Sequence, residues 1–142
     1  MEHGLSPAER AAFMAEPHVG VIAIEAAGRA PLTVPIWYAW HPEGSLGFWM
    51  DGASRKVRLL REAGRLAFCV QRDTRPYRYA SVEADVLSIT PIDWATELTP
   101  LVARYLDPEG ARAYLEALGG PEGIAGDVYV RALPTHWRAE QL

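Results

Sequence analysis

Ser54, Arg55 and Lys56 form a run that could grip an anion. The stretch from Trp49 to Arg61 reads as a strand end, a tight turn at Asp51-Gly52-Ala53, and the first turns of a helix. Ser54 suits the N-cap, because its hydroxyl can accept from a free first-turn amide. Gly64 is a natural stop after Ala63. Arg55 and Lys56 then fall on the first helical positions, where cations oppose the helix dipole at a cost of about 0.3–1 kcal/mol each. A broken local rule points to a functional site. Free amides, a hydroxyl and two cations converging on one point make a socket for a phosphate or carboxylate. The competing reading is a solvated basic face, with Arg58 and Glu62 as an ordinary i,i+4 pair.

Charge sharpens that reading. The chain has a formal net charge of −4, which disfavours non-specific nucleic-acid binding. Yet Arg55, Lys56, Arg58, Arg61 and Arg65 cluster in one short window, and Lys56 is the only lysine among 14 basic residues. The usual catalytic constellations are absent, so no catalytic residue is assigned. No serine sits in a GxSxG elbow, and there is no GxGxxG or Walker sequence. His3, His18, His41 and His136 are scattered without ligand spacing, and one cysteine gives neither a disulfide nor a metal site. Ala67, Phe68 and Val70 around Cys69 predict a buried, inert thiol. The remaining assets are aromatic: Trp37, Tyr38, Trp40, Trp49, Tyr77, Tyr79 and Trp137. Most such rings belong to cores or interfaces. An anion socket beside an aromatic wall nevertheless suits a planar cofactor with a phosphate tail, which brings its own chemistry.

The elements that must position these groups can be read in order. The 142 residues form one domain, residues 1–142, with chain enough for a core. Ser6-Pro7-Ala8-Glu9 opens a helix with an N-cap, a first-position proline and a capping-box glutamate; it runs to Ala15, with Phe13 and Met14 packing inward. His18–Glu25 is a strand, Ala26–Arg29 a hairpin turn, and Leu32–Trp40 a second strand. Pro35 cannot donate to a ladder, so it marks an edge, a bulge, or a place where something other than a strand lies alongside. Ser45–Met50 is the third strand, followed by the basic helix Arg55–Ala63 with Val57, Leu59 and Leu60 inward. Arg65–Arg72 and Tyr77–Ile89 are the fourth and fifth strands. Ile92–Leu106 and Pro108–Leu118 are helical, the latter capped by Asp107 and ended by Gly119-Gly120. Asp127–Arg138 is a sixth strand, bent at Pro134. The pattern predicts a mainly β (α+β) domain: a six-stranded antiparallel barrel with peripheral helices. No leader or membrane-spanning run is visible, so a cytoplasmic protein without membrane contact is expected.

With these residues in view, the chain resembles the pyridoxamine 5'-phosphate oxidase-like flavin-binding split barrels. The resemblance rests on Gly47-Phe48-Trp49-Met50 followed by Ser54-Arg55-Lys56, on Pro17-His18-Val19-Gly20, on Val34-Pro35-Ile36-Trp37-Tyr38, on Pro76-Tyr77-Arg78-Tyr79 with Val82-Glu83-Ala84, and on Pro134 to Trp137. Within that superfamily it is most similar to the actinobacterial branch that uses the deazaflavin coenzyme F420, through Pro-x-Trp-Tyr and Ser-x-Lys. The second strand lacks the Arg and Lys of pyridoxamine phosphate oxidase proper, and Ala84 stands where glycine is frequent. The resemblance implies an oxidoreductase that moves a hydride between coenzyme F420 and an unsaturated or quinone-like small molecule, with FMN as the alternative cofactor. A non-catalytic flavin or haem carrier is a further alternative. It implies that Ser54, Arg55 and Lys56 hold the phosphate, that Pro35, Ile36 and Trp37 lie along the ring, and that Trp49 and Met50 flank the ribityl chain. It also implies a homodimer with the cofactor at the interface, Tyr79 and Trp137 coming from the other protomer.

Overall fold

The computed structural model describes residues 3–142. A two-residue strand, β1 (His3–Gly4), leads into helix α1 (Pro7–Ala15). The capping box forms as the sequence predicts: Ser6 Oγ accepts from the Glu9 amide at 3.1 Å, and Glu9 Oε1 from the Ser6 amide at 2.9 Å. The helix buries Phe13 and Met14 completely. Then come β2 (Gly20–Ile24), β3 (Leu32–Ile36), β4 (Ala39–Trp40) and β5 (Leu46–Asp51), followed by α2 (Arg55–Ala63) and β6 (Arg65–Arg72). Strand β7 (Arg78–Pro91) leads to a π-helical turn at Trp94–Leu98. Helices α3 (Thr99–Tyr105) and α4 (Pro108–Leu118), a 3-10 turn at Pro121–Ile124, and β8 (Asp127–Gln141) complete the chain.

Among the described residues the sheet has eight strands, not the six expected, all pairs antiparallel, in the order β3-β2-β6-β7-β8-β5-β4 with β1 beside β8. One addition is β1; the other arises because the expected strand Leu32–Trp40 breaks at Trp37-Tyr38. The break has a local cause. Tyr38 turns its ring into the core, and its hydroxyl donates to the Met14 carbonyl at 2.8 Å. Its amide donates to the Tyr105 hydroxyl at 3.0 Å instead of to a neighbouring strand. The Tyr105 hydroxyl in turn donates to the His18 carbonyl at 2.7 Å.

That break sets the shape of the molecule. Strands β3 and β4 lie at opposite ends of the sheet order, yet only Trp37 and Tyr38 separate them in the chain. The sheet therefore curls until its ends face each other, without a ladder between β3 and β5. Pro35 sits on β3, which among the described residues pairs only with β2, so its missing N–H costs no ladder bond on the open side. Pro134 bends β8 as predicted: the β7–β8 register shifts beside it, and Thr135 Oγ1 donates to the Glu83 carbonyl at 3.1 Å.

Two apolar clusters hold this frame. The first fills the curl with Phe13, Ile22, Tyr38, Phe48, Leu60, Phe68 and their neighbours. The inward faces read from the sequence hold here: Val57, Leu59 and Leu60 of α2 and Leu66, Phe68 and Val70 of β6 are buried. Cys69 does not follow its expectation. It is exposed, because alternation on β6 that turns Phe68 and Val70 inward turns Cys69 out. Neighbouring atoms still shield its sulfur enough to push the thiol pKa up, which keeps it protonated. The second cluster, Leu98, Val102, Ala111 and Ile124, seats α3 and α4 on Trp37 and Trp49.

Candidate functional site

The seam between β3 and β5 is a groove. One hollow of about 300 Å³ is lined by Val34, Pro35 and Ile36 from β3, Trp49, Met50 and Asp51 from β5, Lys56 from α2, and Asp127 from β8. An adjoining hollow of about 260 Å³ shares Pro35, Ile36 and Trp49 and adds Trp37, Leu101 and Tyr114. The groove thus runs from a cation at the start of α2 to an aromatic enclosure under α3 and α4.

Each end is fixed by local chemistry. Asp51 Oδ1 accepts from the Ala53 amide at 2.9 Å, which tightens the turn into α2. Ser54 caps the helix as predicted, accepting from the Val57 amide at 3.4 Å, and Gly64 closes it at φ 70°. The amides of Arg55 and Lys56 have no intrahelical acceptor, as at every helix start. Arg55, Lys56, Arg58 and Arg61 make no ion pair among the described residues. Arg55 and Lys56 are half-buried, and Arg58 and Arg61 are exposed. Two carboxylates temper this end, but both are engaged: Asp51 by the turn and Asp127 by the Trp49 indole, whose Nε1 donates to Oδ2 at 2.8 Å. At the other end Trp37 stacks on Tyr105, rings 4.7 Å apart and 7° from parallel.

Comparison with solved structures places this geometry. An F420 reductase shares 24% identity with a TM-score of 0.73, over 89% of this chain and 93% of its own. An FAD-binding protein from Mesorhizobium loti shares 17% identity with a TM-score of 0.70, over 100% of this chain and 99% of its own. The chain has the split-barrel fold. An FAD and haem binding protein from Mycobacterium smegmatis also superposes, at 18% identity and a TM-score of 0.68, over 99% of this chain and 72% of its own. At these identities the shared property is the architecture. No protein-family model and no curated protein matches the sequence.

Within this split barrel, Pro35, Ile36, Trp37, Trp49, Met50 and Lys56 line the groove, while Ser54 and Arg55 stand at the helix start beside it. Tyr79 and Trp137 lie elsewhere in the protomer. Tyr79 stands between Gln71 and Glu140 in the sheet, its hydroxyl accepting from Arg138 Nε at 3.1 Å. Trp137 packs edge-on to Trp40 at 6.0 Å, beneath the Arg10 guanidinium at 4.5 Å. The sequence reading missed Asp127, Leu101 and Tyr114. A buried indole N–H requires an acceptor, but only strand register identifies it as Asp127. Among the described residues no metal-ligating cluster occurs, and no helix is long and apolar enough to cross a membrane.

A second polar cluster lies next to Trp49 on the sheet. Tyr129 is buried, pairs with Trp49 across β5 and β8, and approaches His41 Nε2 at 2.9 Å through its hydroxyl. Burial pushes the Tyr129 phenol up to about 12. Burial, reinforced by the Arg131 cation, holds the His41 imidazole below its ordinary value, and burial depresses His18 likewise. The unfolded chain takes up these protons near pH 6.5, the folded chain only at lower pH. Stability from the neutral rings is therefore complete above about pH 6.5 and is lost as pH falls through the folded values. The urea midpoint should hold above about pH 7 and decline as pH falls below about 6.5, with a smaller decline in His41→Gln. An unchanged slope in that variant assigns the decline to other groups.

Proposed function

We propose that this split barrel is an oxidoreductase that holds coenzyme F420 in the seam groove and moves a hydride between it and an unsaturated or quinone-like small molecule. The observation that carries this reading is Lys56: a half-buried cation, without an ion pair among the described residues, lining a hollow of Val34, Pro35, Ile36, Trp49 and Met50 beside the engaged carboxylates Asp51 and Asp127. The donor set fits a planar group with an anionic tail. Lys56, Arg55 and the free amides of α2 hold the phosphate, with Ser54 fixing the turn that presents them. Pro35 and Ile36, which both hollows share, lie along the ring, with Trp37 at its far edge, and Trp49 and Met50 lie along the linking chain. Arg58 and Arg61 continue the unpaired positive charge along α2, which favours the longer, more acidic deazaflavin tail over that of FMN. When bound, the deazaflavin supplies the hydride chemistry. The protein's part is to orient it and to exclude water behind Trp37, Trp49 and Met50.

The same reading includes a homodimer. Val19 and Val21 are exposed at 56% and 41%, and Val21 lies between Pro35 and Cys69 in the sheet. This patch adjoins the groove, with Tyr79 two strands away on β7, so a second copy docked there would both cover it and complete the site. Trp137, packed between Trp40 and Arg10, is not part of that face.

The test is a parallel titration of the apo-protein with coenzyme F420 and FMN, following tryptophan fluorescence. Trp37 and Trp49 line the groove and report occupancy directly. F420 should bind at micromolar levels or tighter, and more tightly than FMN. Tighter FMN binding would assign the groove to a flavin, and binding of neither would end the cofactor reading. A ligand that binds without turnover of any acceptor would identify a carrier.

A further inference from the structure

The groove has two chemically different halves, and only one suits an anionic tail. The half beneath α3 and α4 is lined by Pro35, Ile36, Trp37, Trp49, Leu101 and Tyr114, with no charged side chain among them. Three aromatic rings make its walls. Tyr114 stands 5.7 Å from Trp37 at 39°, and 6.4 Å from Trp49 at 82°. Two of these rings are locked, Trp37 by its stack on Tyr105 and Trp49 by its bond to Asp127. A rigid aromatic enclosure favours a flat ligand, because little side-chain freedom remains to be lost on binding. Its volume, about 260 Å³, is below the usual range for drug-sized ligands and suits one or two fused rings. A charged ligand would forfeit hydration there without a countercharge.

Two polar groups of the enclosure's lining make no hydrogen bond to another described residue, the Trp37 indole N–H and the Tyr114 hydroxyl, and the hydroxyl is the one a single substitution removes while leaving the ring wall in place. Among the described residues the hydroxyls of Tyr38, Tyr79, Tyr105 and Tyr129 all take part in hydrogen bonds. Tyr77 is exposed. Tyr114, half-buried on α4, is the remaining tyrosine, and its hydroxyl bonds to no other described residue. Its place on the helix follows from secure caps: Asp107 Oδ1 accepts from the Gly110 amide at 2.6 Å, and Gly119 closes the helix at φ 85°.

We propose that this half of the groove is a separate compartment for the second reactant, selecting an uncharged, flat compound of one or two rings that carries a hydrogen-bond acceptor. The Tyr114 hydroxyl donates to that acceptor and sets the ligand's orientation against Trp37 and Trp49. The proposal rests on the cofactor reading for its meaning, but not for its test.

Calorimetric titration of 1-indanone, indane and indane-1-carboxylate separates the requirements for acceptor, ring and neutrality. The wild-type protein should bind 1-indanone more tightly than indane, and the carboxylate least. Tyr114→Phe should weaken 1-indanone about fivefold, as for the loss of one neutral hydrogen bond, and leave indane within about twofold. Tyr114→Ala should weaken both. Equal 1-indanone affinity in wild type and Tyr114→Phe, absence of saturable binding, or tightest binding of the carboxylate would overturn the compartment. So would mutual exclusion between 1-indanone and a bound cofactor, which would give the enclosure to the cofactor. Failure of the cofactor titration with retained Tyr114-dependent indanone binding would instead remove the cofactor reading and leave the compartment.

Discussion

Arg104→Met should lower the thermal midpoint by about 10 °C, although residue 104 touches neither half of the groove. Its guanidinium donates to the carbonyls of Met14 at 2.9 Å, Ala15 at 3.0 Å and Glu16 at 2.8 Å. These carbonyls end α1, where a helix leaves its last acceptors unpaired. A cation there is also favoured by the dipole, and the Arg104 guanidinium lies 4.8 Å over the Tyr38 ring. Met14 keeps a donor in the Tyr38 hydroxyl and Glu16 in the His18 amide, and Ala15 is exposed to water, so the three bonds do not simply add. A loss of roughly 2–4 kcal/mol is expected. Methionine preserves most of the side-chain volume, which assigns the loss to the hydrogen bonds rather than to a cavity. Arg112→Met, on the exposed side of α4, is the control and should leave the midpoint unchanged. A fall of less than about 2 °C in Arg104→Met would show that water replaces the guanidinium at little cost. The effect reaches the site through the next residue, because Tyr105 holds Trp37 by stacking and stops the strand at Tyr38.

That chain of contacts explains which parts of the molecule could be read in advance. The caps of α1, α2 and α4 depend on residues within a few positions, so Ser6, Ser54 and Asp107 announced them. The helix start that brings Ser54, Arg55 and Lys56 together was legible for the same reason, since the three are consecutive. The break between β3 and β4 was not, because it needs Tyr105, a residue 67 positions from Tyr38. The Trp49 to Asp127 bond spans 78 positions and exists only through the β5–β8 register. Tyr114 drew no reading at all: it packs with Ala111, Leu115 and Leu118 in the second apolar cluster, and nothing local marks its hydroxyl as unused. Cys69 is the opposite case. Strand alternation was visible in the sequence, but its apolar neighbours outweighed it in the reading, and the thiol faces out.

Lys56→Ala should weaken cofactor binding about tenfold to a hundredfold, the equivalent of roughly 1.5–3 kcal/mol for a charge-assisted contact. The upper part of that range is favoured by what remains in the hollow. Without Lys56, its charged lining is Asp51 and Asp127 alone, and the local field turns against an anion. Stability should respond differently. Lys56 sits in the first turn of α2, where a cation works against the helix dipole, and it makes no ion pair among the described residues. The cofactor-free variant should therefore melt within a degree or two of wild type, or above it. Cofactor-induced stabilisation should shrink at the same time, since that shift follows the ratio of ligand to dissociation constant. Melting curves with and without cofactor, alongside a direct titration, read both effects on one sample. A matched loss of apo stability would make Lys56 a structural residue. Unchanged affinity would rule out the socket, whatever else the groove binds. An unaltered fold with a weakened cofactor is the signature of a cation kept at a helix start for its ligand.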